Sequence, residues 1–155
     1  MEKQEELVSV LNDLIHINKD RSVGYENAIK DSKNIDVDLS AIFSQMADQS
    51  RKNEAELTQE VTRLGGEAHN DTSVLGKVHR VWMDLKSAIT GKDRESILGS
   101  CVFGEDVAQK AYDAALKSDA YMSAEVRQLI TTQKDELKTS HDLIKKYRDL
   151  HEKVS

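Results

Sequence analysis

Apolar residues recur along this chain at alternating steps of three and four, over stretches that only a long-helix bundle accommodates. The first stripe runs Leu7, Leu11, Leu14, Asn18, Arg21, Tyr25 and Ala28. Such steps keep one face of a helix turned toward a partner. A second stripe runs Leu39, Ile42, Phe43, Met46, Ser50, Asn53, Leu57, Val61 and Leu64. The 155 residues include no proline, so no imide ring interrupts either one. The spacing predicts helices over 2–33 and 36–64, with Asn34 to Asp36 supplying a short capped turn. Gly65-Gly66 should stop the second helix, because glycine accepts the left-handed conformation that ends helices. So short a link makes the pair an antiparallel hairpin.

The second half repeats this design. A helix over 94–118 is rich in small residues, including Gly99, Cys101, Gly104, Ala108, Ala111 and Ala115. Glycine inside a helix costs about 0.5–1 kcal/mol relative to alanine, so Gly99 and Gly104 suggest close backbone approach to a neighbour. Ser123 is placed to cap a helix over 124–153, whose stripe is Val126, Ile130, Gln133, Leu137, Ser140, Ile144, Tyr147 and His151. Between the hairpins, the polar residues His69 to Ser73 lead into a shorter helix over 74–89. Its Val78, Val81, Trp82, Leu85 and Ile89 share one side. Trp82 is read as the anchor of this connection on the bundle surface, since an indole buries about 150–250 Å². The expected fold is all-α, a single domain over 1–155. It is a four-helix bundle of two antiparallel hairpins joined by a long crossover containing an extra helix.

Composition narrows the function classes. The net charge is −6, with acidic and basic residues interleaved, which argues against a nucleic-acid partner. No apolar run approaches the roughly 20 residues of a membrane span, and the N-terminal MEKQEEL lacks the basic-then-apolar order of a secretion signal. The single Cys101 cannot form an intrachain disulfide, so the expected location is the cytoplasm. His16, His69, His79, His141 and His151 never occur as His-x-x-x-His or Glu-x-x-His. His141 is expected level with position 100, near Cys101, but a Cys–His pair falls short of a structural zinc set. Cys101, on a core stripe, reads as a small hydrophobe. No catalytic residue is assigned. Long helices leave broad side surfaces, and a homodimer or higher oligomer is expected.

One pattern occurs twice: Asn18, Tyr25 and Ala28, then Glu105, Tyr112 and Ala115 at the same spacings. Seven residues are two helical turns, so each polar residue shares a face with its tyrosine. A hairpin turning near residues 34 and 35 sets Asn18 level with position 51, between Ser50 and Asn53. A hairpin turning near 120 sets Glu105 level with Glu136, and Gln133 one turn away. Asn18, Ser50, Asn53, Glu105, Gln133 and Glu136 are therefore expected in one polar layer, with Arg21 one turn from Asn18 and able to pair with a core carboxylate. Amides that both donate and accept can satisfy such a layer. It would fix helix register as single polar residues do in coiled coils.

Four stretches stand out: Leu11-Asn12-Asp13-Leu14-Ile15, Arg63-Leu64-Gly65-Gly66-Glu67, His79-Arg80-Val81-Trp82-Met83-Asp84-Leu85-Lys86 and Gly104-Glu105-Asp106. Through them the chain resembles the ferritin-like superfamily, and within it an uncharacterised bacterial family with no settled activity. The resemblance implies a di-iron pattern of one Glu, a Glu-x-x-His, one Glu and a second Glu-x-x-His on successive helices. Here Asn18 stands for the first Glu, Ser50 and Asn53 for the first Glu and His pair, and Gln133 and Glu136 for the second. Only Glu105 matches. Two carboxylates with amides and a hydroxyl are a poor set for two hard cations. The expectation is a non-catalytic bundle whose degenerate metal site has become a polar core, with no cofactor. The alternatives kept open are one weakly bound divalent ion, an iron- or manganese-binding protein or oxidoreductase, and a small-ligand carrier. On this reading Glu105→Gln should change stability only modestly.

Overall fold

A computed structural model describes residues 2–31, 37–68 and 94–154. The described residues form four helices, α1 (Glu2–Asp31), α2 (Val37–Arg63), α3 (Arg94–Lys117) and α4 (Ala124–Val154), and no strand lies among them. The ends agree with the expected ones to within two residues. The helix expected over 74–89, with Trp82, lies outside the described residues.

The stops and starts follow the local chemistry. Gly65 has φ +80°, and its N–H donates to Thr62 O while that of Gly66 donates to Val61 O. This pair of bonds caps the last carbonyls of α2 in a Schellman turn. A Cβ on Gly66 would meet Val8 Cγ2 at 2.8 Å, so this glycine also lets the chain press against the start of α1. Asn12 Nδ2 holds the exit strap by donating to Glu67 O at 3.2 Å. At α4, Ser123 Oγ accepts from the Val126 N–H at 3.2 Å, the expected cap. At Gly99, where a close neighbour was expected, a Cβ would meet nothing within 4 Å among the described residues.

Side chains across each interface meet in opposite order. From α1 to α2, Asn18 meets Asn53 and Arg21 meets Ser50. From α3 to α4, Asp106 meets His141 and Tyr112 meets Gln133. From α1 to α3, Asn18 meets Tyr112 and Tyr25 meets Glu105, and from α2 to α4, Gln49 meets Ser140 and Arg63 meets Glu125. All four neighbouring pairs are thus antiparallel, and the diagonal pair α2 and α3 points the same way. The core between them draws on the stripes, with Leu11, Phe43, Leu57, Val61, Ile130, Leu137 and Ile144 fully buried, and adds Ile17 and Leu98 from beside them. Phe43 packs its ring on Tyr25 at 5.2 Å between centroids. Side chains of this size contribute about 1.5–3 kcal/mol each by leaving water, and they enclose a polar centre.

Candidate functional site: a two-tier polar core

The two copies of the polar-residue-plus-tyrosine pattern meet head to tail. Because α1 and α3 run antiparallel, each tyrosine reaches the polar residue of the other copy. Tyr25 OH donates to Glu105 Oε1 at 2.6 Å, and Tyr112 OH accepts from Asn18 Nδ2 at 2.8 Å. All four side chains are fully buried. The repeat was legible in the sequence, but not the exchange of partners.

Around Tyr112 lies an uncharged tier in which every donor points the same way. Asn53 Nδ2 donates to Asn18 Oδ1 at 3.3 Å, Asn18 Nδ2 to Tyr112 OH, Tyr112 OH to Gln133 Oε1 at 2.7 Å, and Gln133 Nε2 back to Asn53 O at 3.4 Å. The circuit therefore closes through all four helices. The second amide hydrogens are also used: Asn18 Nδ2 donates to Leu14 O at 2.9 Å and Gln133 Nε2 to Glu56 Oε1 at 3.1 Å. Buried amides are tolerated when matched in this way.

One turn further along α1, Arg21 organises a charged tier. Its Nε donates to Glu105 Oε1 at 2.6 Å, and both side chains are inaccessible to solvent. Its Nη1 faces Ser50 Oγ at 2.7 Å, Gln49 Oε1 at 3.0 Å and Met46 O at 3.1 Å. Ser140 Oγ on α4 donates to the same Gln49 Oε1, so this tier too involves four helices. The guanidinium carbon lies 5.3 Å from the centre of the Tyr25 ring, within cation–π range.

Electrostatics follow from burial. Burial works against the charge of Arg21, but the carboxylate of Glu105 outweighs it and holds the guanidinium above its ordinary pKa. Burial, reinforced by the negative charge of Glu105, pushes the Tyr25 hydroxyl well up. Burial also raises Tyr112, against the opposing hydrogen bond from Asn18. Cys101 is raised by burial first and by Glu105 second, which keeps it a thiol. Both tyrosines are therefore neutral hydrogen-bond donors beside one buried ion pair.

The six expected layer residues are divided by this geometry. Asn18, Asn53 and Gln133 enter the uncharged tier, while Ser50 and Glu105 enter the charged one. Glu136 stays half-buried at the edge, where its charge raises Tyr112 further. The α3–α4 turn falls where expected, between Lys117 and Ala124, but pairing across the two helices is offset by a few residues, so Gln133 faces Tyr112, and Glu105 lies nearer the level of Ser140 than of Glu136. The same shift moves His141 past Cys101, and its Nε2 bonds Asp106 Oδ1 at 2.6 Å. Gln49 and Glu56 were missed, because neither lies on an apolar stripe and only their length brings them in.

Metal chemistry fits this donor set poorly. A cation at Glu105 would face a guanidinium already bonded to that carboxylate, across a low-dielectric interior where like charges repel strongly. Among the described residues, no three His, Cys, Asp or Glu side chains form a group able to hold a metal ion. A hollow of about 510 Å³ opens elsewhere, at the bundle end, lined by Leu7, Leu64, Tyr121 and Val126 with Arg63 and Glu125. It lies about 16 Å along α1 from Asn18, counting 1.5 Å per residue. Among the described residues no helix is long and apolar enough to cross a membrane.

No curated protein matches the chain. Residues 6–118, covering α1 to α3 but not α4, match the family described as Domain of unknown function (DUF2383), and the chain belongs to that family.

Proposed function

We propose that this protein is a non-catalytic, ferritin-like bundle in which an internal arginine takes the place of a bound cation. The observation that carries the reading is the double engagement of Glu105 Oε1, by Arg21 Nε and by Tyr25 OH, with all three side chains fully buried. The carboxylate that matches a metal ligand is neutralised from within, and its tyrosine neighbour holds the pair in place. The parallel course of α2 and α3 supports the hairpin–crossover–hairpin layout. Because α2 and α3 are parallel, the end of α2 and the start of α3 lie at opposite ends of the bundle, about 40 Å apart by the length of the 27-residue α2. The protein acts through its outer faces, in the cytoplasm and as a homo-oligomer. Exposed Val37, Phe103 and Tyr121 supply apolar surface for self-association.

Metal content measured on protein purified without a chelating tag tests this reading. The melting temperature should be unmoved by excess Fe²⁺, Mn²⁺ or Zn²⁺, because a cation that binds only the folded state would raise it. Stoichiometric metal with a metal-dependent rise in melting temperature would replace the proposal with the metal-binding alternative. The ion pair also revises one expectation. Glu105→Gln no longer counts as a mild change, because it leaves Arg21 charged and buried without its counter-charge.

A further inference from the structure

Two buried atoms of the ion pair, Arg21 Nη2 and Glu105 Oε2, lack a hydrogen-bond partner among the described residues, as does Asn53 Oδ1 on the neighbouring turn of α2. We infer that one internal water molecule bridges Arg21 Nη2 to Glu105 Oε2.

An arginine and a carboxylate ordinarily pair fork to fork, with two parallel N–H···O bonds. Here only the Nε–Oε1 arm is made. The cause is local: Tyr25 OH also donates to Oε1 at 2.6 Å, while Nη1 is drawn to Ser50 and Gln49 on the other side. The carboxylate and guanidinium are therefore held by third parties in a skewed contact, and the second arm of the fork stays open. With bonds of about 1.3 Å at planar centres, Nη2 lies about 2.3 Å from Nε and Oε2 about 2.2 Å from Oε1. The 2.6 Å contact then keeps the two orphaned atoms within about 7 Å. A water making two bonds of about 2.8 Å spans up to about 5.6 Å, so a bridge fits wherever the open arm is no wider than that.

Donor counting selects the ligand. The open arm offers one donor group and one acceptor, so the bridging molecule must accept one bond and give one. Water does this, as buried waters commonly do between polar groups. A cation has no hydrogen for the acceptor and would face Arg21. An anion would face Glu105. Without a bridge or a direct bond between them, Nη2 and Oε2 both stay buried and unsatisfied, which folding penalises. The inference rests on these atoms and not on the proposed absence of catalysis.

A crystal structure of the wild-type protein at a resolution that shows ordered waters tests it directly. The expected result is one density peak within hydrogen-bond distance of both Arg21 Nη2 and Glu105 Oε2. Water-oxygen relaxation dispersion in solution should count one long-lived internal water in wild type that is lost in Arg21→Met. Direct Nη2–Oε2 bonding without a peak would overturn the inference, and so would the absence of any long-lived water in wild type. A peak with anomalous scattering at about 2.1 Å from Oε2, the length of a metal–carboxylate bond, would overturn it and the proposed function together. A metal bound elsewhere would overturn only the latter.

Discussion

The two tiers of the core solve one problem in different ways. In the uncharged tier, Asn53, Asn18, Tyr112 and Gln133 pass their hydrogen bonds round four helices and return to the starting residue. All four side chains are neutral and hydrogen-bonded, so none carries the cost of burying an ion. In the charged tier, Arg21 and Glu105 are both sealed from water, and each makes the other tolerable. Taking an ion from water costs several kcal/mol, and only a well-placed partner offsets it. The neutral tier should therefore lose stability in steps when altered, while the charged tier should fail when either half is removed. Neither tier is expected to add much net stability over a well-packed apolar core. Both define a single register, because a helix shifted by one turn would break several bonds at once.

The largest expected effect is Arg21→Met, which leaves Glu105 buried and unpaired and should destabilise the protein by about 3–5 kcal/mol. The double variant Arg21→Met with Glu105→Leu should recover most of that loss. Chemical denaturation of the four proteins of this cycle measures it, and additive losses would show that the two charges are not coupled. Alkaline pH comes next. Tyr25 and Tyr112 have raised pKa values in the folded protein against an ordinary value of 10.0, and Cys101 against 9.0. Once the unfolded chain releases protons that the native core retains, stability falls with rising pH. The contribution of these groups is whole below pH 9.0 and declines above it, by about 1.4 kcal/mol per pH unit for each group fully titrated in the unfolded chain. Urea midpoints from pH 8 to 11 follow this loss, and a flat profile above pH 10 would contradict it.

Smaller effects sharpen the contrast. Tyr112→Phe removes one member of the neutral circuit and leaves Gln133 Oε1 without its donor. Asn18 keeps its bond to Leu14 O. A loss of about 1–3 kcal/mol is expected, below that of Arg21→Met in the same denaturation assay. Lys134→Ala breaks a surface ion pair with Asp113 and should cost about 0.2–1 kcal/mol, since solvent screens exposed charges. A Lys134 effect as large as that of Tyr112 would mean that burial does not separate the two regions.

The extents of the four described helices and the stop that ends α2 were legible in the chain itself, because each depends on neighbours in sequence. The step of three and four defines the buried faces of α1 and α2, Gly65 stops α2 through its φ of +80°, and Ser123 caps α4. Asn18, Ser50, Asn53, Glu105 and Gln133 were also recognisable as core polar residues, being polar positions on apolar stripes. What they bond to was decided only in three dimensions. The register of α3 against α4, a matter of a few residues, moved Gln133 from Glu105 to Tyr112 and His141 from Cys101 to Asp106. Hydrogen bonds act over about 3 Å, while one residue of helix rises 1.5 Å, so a small error in register exchanges every partner. The crossing of Tyr25 to Glu105 and of Asn18 to Tyr112 likewise depends on two helices meeting antiparallel from opposite halves of the chain. Periodicity determines which side chains enter the core. Only tertiary register decides which of them meet.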